Sequence, residues 1–444
     1  MIKFLSSLYP GSHFLYGLAF AIVLLIMAFG LGLPSWTGLI IIGLWLGLLL
    51  REIYFLYGSN VGITGSRILA DRLSNGDDNT IVIKISNHYA RAVAITVLEE
   101  LPYQFQIRNQ IWREKILGSG ELNLTYLLKP VMRGKYQFGN TLVFVSTGLN
   151  LWERKFVLST QKEHAVYPSF LQMAKYELLA FGNQTSERGL RKLPRRGVGL
   201  EFDQIKKYHM GDDPRQINWR ASARQGELMV NNYTEEKSQN IYQVVDQGRL
   251  MQFPFEGMYL LDYAINSALM LSNIVLKKGD KAGLICFDKN VSAHVSASRS
   301  RITLHHILEK LYHLDTEIQN ADHARLASWS LQNLSQRCVL FLYTHFVNYD
   351  SYLRKEKYIH SLSTRHLVIA IMFTNTGVND LIYRKTKSSR EIYEQVLAEQ
   401  QAVDQMRIQR RLRSLGVECV LTTPQNLSVD SLNKYLELKA MGRT

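Results

Sequence analysis

Three polar residues, Asp246, Asp288 and His345, end apolar segments of the kind that form buried strands. The segments read IYQVVD, KAGLICFD and CVLFLYTH. In an open α/β sheet the ligand crevice lies at the carboxyl ends of the strands, so we expect these three side chains near one crevice. Two carboxylates and an imidazole in a crevice are compatible with a binding face or with a membrane hydrolase or metal-dependent phosphatase.

The sequence carries none of the common catalytic signatures. It contains no GxxxxGK loop, no GxGxxG between a strand and a helix, no HExxH and no GxSxG. The interpretation favoured by this absence is a protein that is not an enzyme, and the crevice hydrolase remains the alternative.

The most unusual stretch lies at residues 195–233 and reads RRGVGLEFDQIKKYHMGDDPRQINWRASARQGELMVNNY. Gly211 to Pro214 form a strong turn signal, and the acids and arginines around it can form charge-assisted hydrogen bonds. The stretch predicts either an internal salt-bridge clamp between two domains or a partner-docking surface. Its candidate residues are Glu201, Tyr208, Asp212, Arg215, Trp219, Ser222 and Arg224.

The elements that must position these residues follow from hydrophobic patterning. From residue 240 to 444, apolar strands alternate with helices, which predicts a doubly wound, mostly parallel sheet covered on both faces. Residues 161–239 are interpreted as a signature and connector region. At 58–160, short segments with alternating hydrophobicity predict antiparallel strands in a β-sandwich-like domain, with a hairpin turn at Asn75-Gly76.

The N-terminus has the strongest physical signal. No charged side chain occurs from Phe14 to Leu50, whereas about 20 apolar helical residues cross a bilayer. Breakers near Pro34 divide the run, so domain 1–57 is predicted to hold two transmembrane helices, at about 14–33 and 36–57. A cleaved signal peptide or a buried core helix is the alternative. Lys3 lies before the first helix, Arg51 lies near the end of the second, and Arg67 and Arg72 follow it, whereas the connecting turn carries no charge. By the positive-inside rule, this pattern places both termini in the cytoplasm.

The net charge is +14 and the basic residues cluster at 188–196 and 407–413. Such clusters bind anionic lipid or nucleic acid, and lipid contact or a solvated surface is favoured beside a membrane anchor. The three cysteines show no disulfide or metal spacing, and each lies in a strand-like apolar segment, which predicts buried thiols.

Part of the 195–233 stretch resembles the signature of the bacterial DUF58 family. The matching parts are a GLEF-like entry at 197–202, a Tyr-x-x-Gly-Asp turn at 208–212, Arg-x-Ile-x-Trp at 215–219 and Ser-Ala-Arg at 222–224. The N-terminal hairpin, the RGKYQFGN segment at 133–140 and the closing segment 435–444 are also similar to that family.

This resemblance implies a β-domain followed by a von Willebrand factor A-like domain. It also implies action with a MoxR-type AAA+ ATPase in assembling or maturing an unknown client protein. The predicted function is therefore a membrane-anchored scaffold or adaptor in the bacterial inner membrane, with most of the chain in the cytoplasm.

A metal-competent A-like domain carries Asp-x-Ser-x-Ser, a threonine and a later aspartate, which are hard oxygen ligands for magnesium. This chain keeps Asp246 but has Gly248 and Leu250 at the serine positions and His345 at the later aspartate. The expectation is a degenerate site that binds no metal, with Asp246 paired to a base such as Arg249.

Overall fold

The computed structural model describes residues 6–58, 61–107, 110–173, 176–177, 201–209, 212, 214, 217–234, 238–316, 319–374, 376–384 and 388–442. The chain divides into two compact units, Met1–Tyr167 and Pro168–Thr444. The basic cluster at 188–196 lies outside the described residues.

Two apolar helices open the first unit, α1 (Phe14–Gly30) and α2 (Ser35–Tyr57). Within the described chain, Trp36–Tyr57 is the one segment long and apolar enough to cross a membrane, and α1 is shorter. The helices pack closely, since a Cβ on Gly17 would lie 2.6 Å from a ring carbon of Trp45. The first predicted span therefore forms a helix that ends at Gly30, before the predicted end at residue 33.

The rest of the first unit is β-structure in three sheets. Its strands are β1 (Leu8–Pro10), β2 (Ile63–Ile68), β3 (Arg72–Ser74), β4 (Asn79–Asn87), β5 (Val93–Glu99), β6 (Gln110–Ile116), β7 (Glu121–Leu128), β8 (Gly134–Phe138), β9 (Thr141–Ser146), β10 (Trp152–Ser159) and β11 (Lys162–Tyr167). The sheet orders are β1-β10-β9-β5-β6, β3-β11-β8 and β2-β4-β7. Alternate residues of β4 are buried, as expected for a strand with one face on the core.

The turn at Asn75-Gly76 does not join two paired strands. Gly76 has φ +76°, a left-handed conformation that suits glycine. However, β3 pairs with β11 in a parallel register, whereas β4 pairs with β2 and β7. The predicted hairpin is therefore wrong, because this turn carries the chain from one sheet into another.

The helical hairpin is tied to the β-structure at both of its ends. Before α1, strand β1 pairs antiparallel with β10. After the apolar part of α2, the carboxylate of Glu52 is buried and accepts hydrogen bonds from the Leu151 and Trp152 amides at 3.0 and 3.1 Å. Arg154 donates to the Leu56 carbonyl at 2.6 Å. The chain segments that flank the hairpin therefore lie on the same side of it.

A buried ion pair lies inside the β-structure. Arg67 Nη1 is 2.6 Å from Glu99 Oε1, and both side chains are almost fully buried. Thr141 donates to the second oxygen of Glu99 at 2.7 Å, and the guanidinium lies 5.0 Å from the centroid of the Phe138 ring. Arg67, one of the arginines on which the predicted orientation depends, is thus neutralised within the protein, whereas Arg51 is exposed.

The second unit contains a two-stranded sheet, a larger mixed α/β sheet and a short β-hairpin. Its strands are β12 (Glu201–Lys207), β13 (Met229–Thr234), β14 (Asn240–Asp246), β15 (Pro254–Phe255), β16 (Met258–Tyr259), β17 (Lys281–Phe287), β18 (Val291–Ser298), β19 (Val339–Thr344), β20 (Leu367–Phe373) and β21 (Glu418–Thr422). Its helices are α3 (Trp219–Gln225), α4 (Leu260–Lys277), α5 (Arg301–Tyr312), α6 (His323–Asn333), α7 (Tyr349–Ser363), α8 (Thr376–Tyr383), α9 (Ser389–Ser414) and α10 (Leu427–Ala440).

The larger sheet has the order β18-β17-β14-β19-β20-β21. All neighbouring strands are parallel except the edge strand β18, which runs antiparallel to β17. Successive residues of β14 enter two different hydrophobic clusters, Ile241 and Val245 on one face and Tyr242 and Val244 on the other. The sheet is therefore buried on both faces, which confirms the predicted α/β architecture, and all three cysteines are free and buried.

Candidate functional site

In an open α/β sheet, a ligand crevice is expected where the strand order reverses. The chain passes from β14 to β17 on one side and later returns to β19 on the other side of β14. At such a switch point the loops diverge and leave a depression at the carboxyl ends of the strands. The residues that end β14 and β19 are Asp246 and Thr344, so these two side chains mark the candidate site.

Asp246 is buried and its two carboxylate oxygens are both occupied. Gly248 N donates to Oδ1 at 2.7 Å, and Thr344 Oγ1 donates to Oδ2 at 2.7 Å. Burial raises the pKa of Asp246, while the charge of Lys355 and these hydrogen bonds oppose the rise. Asp246 forms no ion pair with Arg249, which is exposed. The predicted pairing of Asp246 with Arg249 is therefore wrong.

The positions that hold serines in a metal-competent site offer no oxygen here. A Cβ on Gly248 would lie 2.8 Å from the Ala321 amide nitrogen and 2.9 Å from Asp246 Oδ1. Leu250 lies in a short 3-10 turn at Arg249–Gln252. A serine at residue 248 would thus require backbone movement, and the side chains present do not fit a magnesium ion. Among the described residues, no three acids, histidines or cysteines form a cluster that could hold a metal.

His345 follows Thr344 directly and is buried among aromatic rings. Its ring centroid lies 6.2 Å from that of Phe253 and 6.4 Å from that of Phe373. This burial lowers the pKa of His345 to about 4. The imidazole is therefore neutral at pH 7, in surroundings typical of a core side chain.

Asp288 lies just beyond β17 and forms a local turn. Its Oδ1 accepts the Asn290 amide at 2.9 Å, and its carbonyl accepts the Asp322 amide at 2.7 Å. Asp322 in turn caps α6 by accepting the Ala324 amide at 2.8 Å. Asp288 thus holds a loop at the rim of the sheet.

The structure adds two residues that the sequence analysis did not select, Lys355 of α7 and His323 of α6. Lys355 is half-buried, forms no ion pair with a described residue, and lies 5.5 Å above the Phe346 ring centroid. Burial lowers its pKa, and the charge of Asp246 opposes this. Burial and the charge of Lys355 lower the pKa of His323 to about 3. No motif marks these two positions, because helices distant in sequence bring them to the crevice.

The signature stretch folds into a hairpin with a helix between its strands. Strands β12 and β13 pair antiparallel from Glu201↔Thr234 to Lys207↔Met229. Glu201 starts β12, and Tyr208 follows the strand, where its amide donates to the Leu228 carbonyl at 2.8 Å. Arg215 lies outside the described residues.

Asp212 closes the turn after β12. Lys206 Nζ donates to its Oδ1 at 2.8 Å and the His209 amide donates to its Oδ2 at 3.0 Å. The hydrogen bonds from Lys206 and His209 lower the pKa of Asp212. The other ion pair described in this hairpin joins Lys207 to Glu227. Neither pair uses an arginine of the predicted network.

Polar contacts join helix α3 to strand β13. Asn218 caps the helix, since its Oδ1 accepts the Ala221 backbone amide at 3.0 Å. The side-chain Nδ2 of Asn218 donates to Asn231 Oδ1 at 2.8 Å. Ser222 is buried, donates to the Asn218 carbonyl at 2.9 Å and accepts the Met229 amide at 2.9 Å. Ser222 therefore has a structural role, because it joins the helix to β13.

Other side chains of α3 are exposed to solvent. The Trp219 side chain is 71% exposed, and Arg220 and Arg224 are exposed beside it. Neither arginine forms an ion pair with another described residue. The stretch thus combines an anchored base, formed by Asn218 and Ser222, with an exposed tryptophan and two exposed guanidinium groups.

Solved structures give only distant similarity. A mussel byssus protein, proximal thread matrix protein 1, is 12% identical with a TM-score of 0.27, over 46% of this chain and 48% of its own. The CARDB domain of a Pyrococcus furiosus protein, also 12% identical, gives 0.17 over 23% of this chain and 91% of the domain. Scores this low carry no argument about fold or function.

Sequence comparison is more specific. The uncharacterized protein YeaD of Bacillus subtilis (strain 168) is 24% identical over 168 residues, which are 38% of this chain and 40% of that protein. The chain thus spans less than half of this relative's length. The family model described as "Protein of unknown function DUF58" matches residues 204–381, which include most of the signature hairpin and the crevice. Residues 204–381 of the chain are therefore similar to the DUF58 family, in agreement with the resemblance of the signature stretch.

Proposed function

We propose that this protein is a membrane-anchored adaptor that docks a partner protein through exposed side chains of α3. The observation that carries the proposal is Trp219, a large aromatic side chain that is 71% exposed on a helix held in place by Asn218 and Ser222. A rigid base costs little conformational entropy on binding, which favours a preorganised docking surface.

The chemistry of these exposed side chains suits protein contact. Tryptophan and arginine are the residue types that most often dominate the energy of protein interfaces. Trp219, Arg220 and Arg224 lie on one short helix, and Leu228 beside it is also exposed. A partner with an apolar pocket and flanking carboxylates would complement this surface.

The anchor in this proposal is the α1–α2 hairpin. Large apolar side chains of α1 point outward, including Tyr16 at 75% exposure and Phe29 at 89%, and lipid is the environment that such a surface requires. A helix of 17 residues is at the short end of the range of about 17–25 for a span. The charge pattern favours both flanking segments on the cytoplasmic side, and the family resemblance implies the bacterial inner membrane.

The crevice in this proposal belongs to a degenerate A-like domain that needs no metal. The strand order, with one reversed edge strand, supports the doubly wound part of that assignment. The occupied carboxylate of Asp246 and the closed space at Gly248 support metal independence. The family resemblance implies a MoxR-type AAA+ ATPase as the partner and a further client protein as the object of assembly.

Co-purification from detergent extracts tests the proposal. The full chain is expressed with a neighbouring MoxR-type ATPase, and the ATPase recovered with it is measured for wild type and for Trp219→Ala. We expect wild type to retain the ATPase. Trp219→Ala should recover at least tenfold less ATPase, which corresponds to a loss of about 1.4 kcal/mol of binding free energy.

Tyr383→Ala is the matched control, since Tyr383 is an exposed aromatic on α8, outside the signature. It should retain the ATPase as wild type does. Repeated recovery of the wild-type chain alone, or equal recovery with Trp219→Ala, would contradict docking through α3.

The hydrolase alternative predicts instead a turnover that Asp246→Ala abolishes. Binding of lipid or nucleic acid predicts a binding affinity that falls steeply with salt concentration.

A further inference from the structure

Helix α9 has an exposed stripe that is unusual for a helix of a folded unit. It extends over Ser389–Ser414, and its buried side chains are confined to one face, at Ala398, Asp404, Ile408 and Leu412. On the opposite face, four apolar side chains are between 43% and 53% exposed, namely Ile392, Val396, Val403 and Met406. Isolated exposed apolar residues are ordinary, but a continuous row of them indicates an interaction surface.

The stripe has the spacing of a coiled-coil seam. Its positions are 392, 396, 399, 403, 406 and 410, so the intervals alternate between four and three residues. This is the a/d pattern that allows one helix to pack along another. The two polar members, Glu399 and Arg410, are both exposed. Polar residues in such a seam specify the orientation of the partner helix rather than adding stability.

We propose that this stripe binds α9 of a second copy of the chain, in an antiparallel arrangement. A two-fold axis near residue 401 places Val396 of each copy opposite Met406 of the other, and Glu399 opposite Val403. The aliphatic stem of Arg410 then covers Ile392. Every contact occurs twice, as an isologous interface requires.

Residues beside the seam fit the same register. Tyr393, which is 65% exposed, comes opposite Arg407 of the other copy, where an aromatic ring and a guanidinium attract each other. Glu399 is opposite Val403 of the other copy, and Arg407 of that copy lies one helical turn beyond Val403. Neither Arg407 nor Arg410 forms an ion pair with a described residue of its own chain. A parallel pair would instead place Glu399 against Glu399 and Arg410 against Arg410, so charge selects the antiparallel arrangement.

The charges also favour a second copy over an anionic membrane surface. Basic amphipathic helices that bind membranes carry lysine or arginine along the whole polar border. Here Glu399 lies in the middle of the stripe, and the arginines beside the stripe are confined to its C-terminal part. Contact with anionic lipid would repel the carboxylate, whereas an antiparallel helix brings a guanidinium close to it.

Light scattering on the purified full chain in detergent tests the pairing. After correction for detergent, we expect wild type at twice the chain mass of 51.1 kDa and the double variant Val396→Glu, Val403→Glu at the single mass. Leu331→Glu is the matched control, since it adds a charge at an equally exposed leucine on α6, and it should keep the doubled mass. A wild type at the single mass at all soluble concentrations, or a double variant that keeps the doubled mass, overturns the proposal.

A cysteine variant tests the register separately, without charges that could disturb the fold. Gln400→Cys lies beside the predicted axis and should form a disulfide between two copies under mild oxidation. Arg390→Cys, exposed on the same helix but away from the stripe, should not. The natural cysteines are buried. Equal cross-linking at both positions, or none at residue 400, overturns the antiparallel register. This pairing does not depend on docking through Trp219.

Discussion

Replacing His345 with phenylalanine should remove a pH-dependent loss of stability from the second unit. The neutral ring of His345 is buried between Phe253 and Phe373, and its pKa is lowered to about 4. In the unfolded chain the pKa returns to about 6.5, so the unfolded state takes up the proton first as the pH falls. The stability that depends on the neutral ring is therefore present above pH ~6.5 and is lost as the pH falls toward 4.

The size of the effect follows from the two pKa values. Each pH unit between them costs about 1.4 kcal/mol, so lowering the pH from 7 to 5 should cost wild type about 2 kcal/mol through this residue alone. Phenylalanine has a similar shape and no charge to suppress, so His345→Phe should avoid this part of the loss. Asp246 and His323 titrate in both proteins, and the difference between the proteins therefore isolates His345.

Urea unfolding at pH 7 and pH 5, followed by tryptophan fluorescence, measures this difference. The loss of unfolding free energy between the two pH values should be smaller by about 2 kcal/mol in His345→Phe than in wild type. His305→Gln, a change at an exposed histidine, should lose as much as wild type. An equal loss in His345→Phe and wild type would refute a buried neutral imidazole at residue 345.

Three further substitutions test other contacts. Arg67→Met should lower the unfolding free energy of the first unit by about 3–5 kcal/mol in urea titrations, because it leaves the buried Glu99 carboxylate unpaired; a loss under ~1 kcal/mol would contradict a buried pair. Gly248→Ser should lower the melting temperature without creating magnesium protection, because its Cβ would collide with the Ala321 amide. Stabilisation by magnesium would contradict this. Asn218→Ala should weaken α3 by about 1 kcal/mol through loss of its cap, seen as faster amide exchange at 219–225; unchanged exchange would show that the cap is dispensable.

The pattern of hydrophobic residues predicts strands and helices well where a single period, that of a strand or of a helix, dominates the segment. The alternation in β4 and the apolar segments of β14 and β19 show which faces are buried, because side-chain direction in a strand follows residue number. Asn75-Gly76 does form a turn, but the hairpin that the pair predicts is wrong. Turn residues report backbone conformation at one point and do not specify which strand will pair with which.

The candidate site shows the same limit. Sequence order placed Asp246 and His345 at strand ends, and the strand order brought those ends to the switch point. Thr344, which occupies the second oxygen of Asp246, is 98 residues away in the chain. Lys355 and His323 lie on separate helices, and no spacing rule connects them to Asp246. Contacts of this kind depend on how helices pack on the sheet.

The sequence by itself determined the apolar N-terminus, the β-rich and α/β parts, and the missing oxygen ligands at residues 248 and 250, because these follow from residue type and local period. Only the tertiary structure decided that Arg67 is neutralised inside the β-structure, that Gly248 has no room for a side chain, and that Trp219 and the α9 stripe remain exposed. Burial and exposure are properties of the packed chain, since they depend on segments that are distant in sequence.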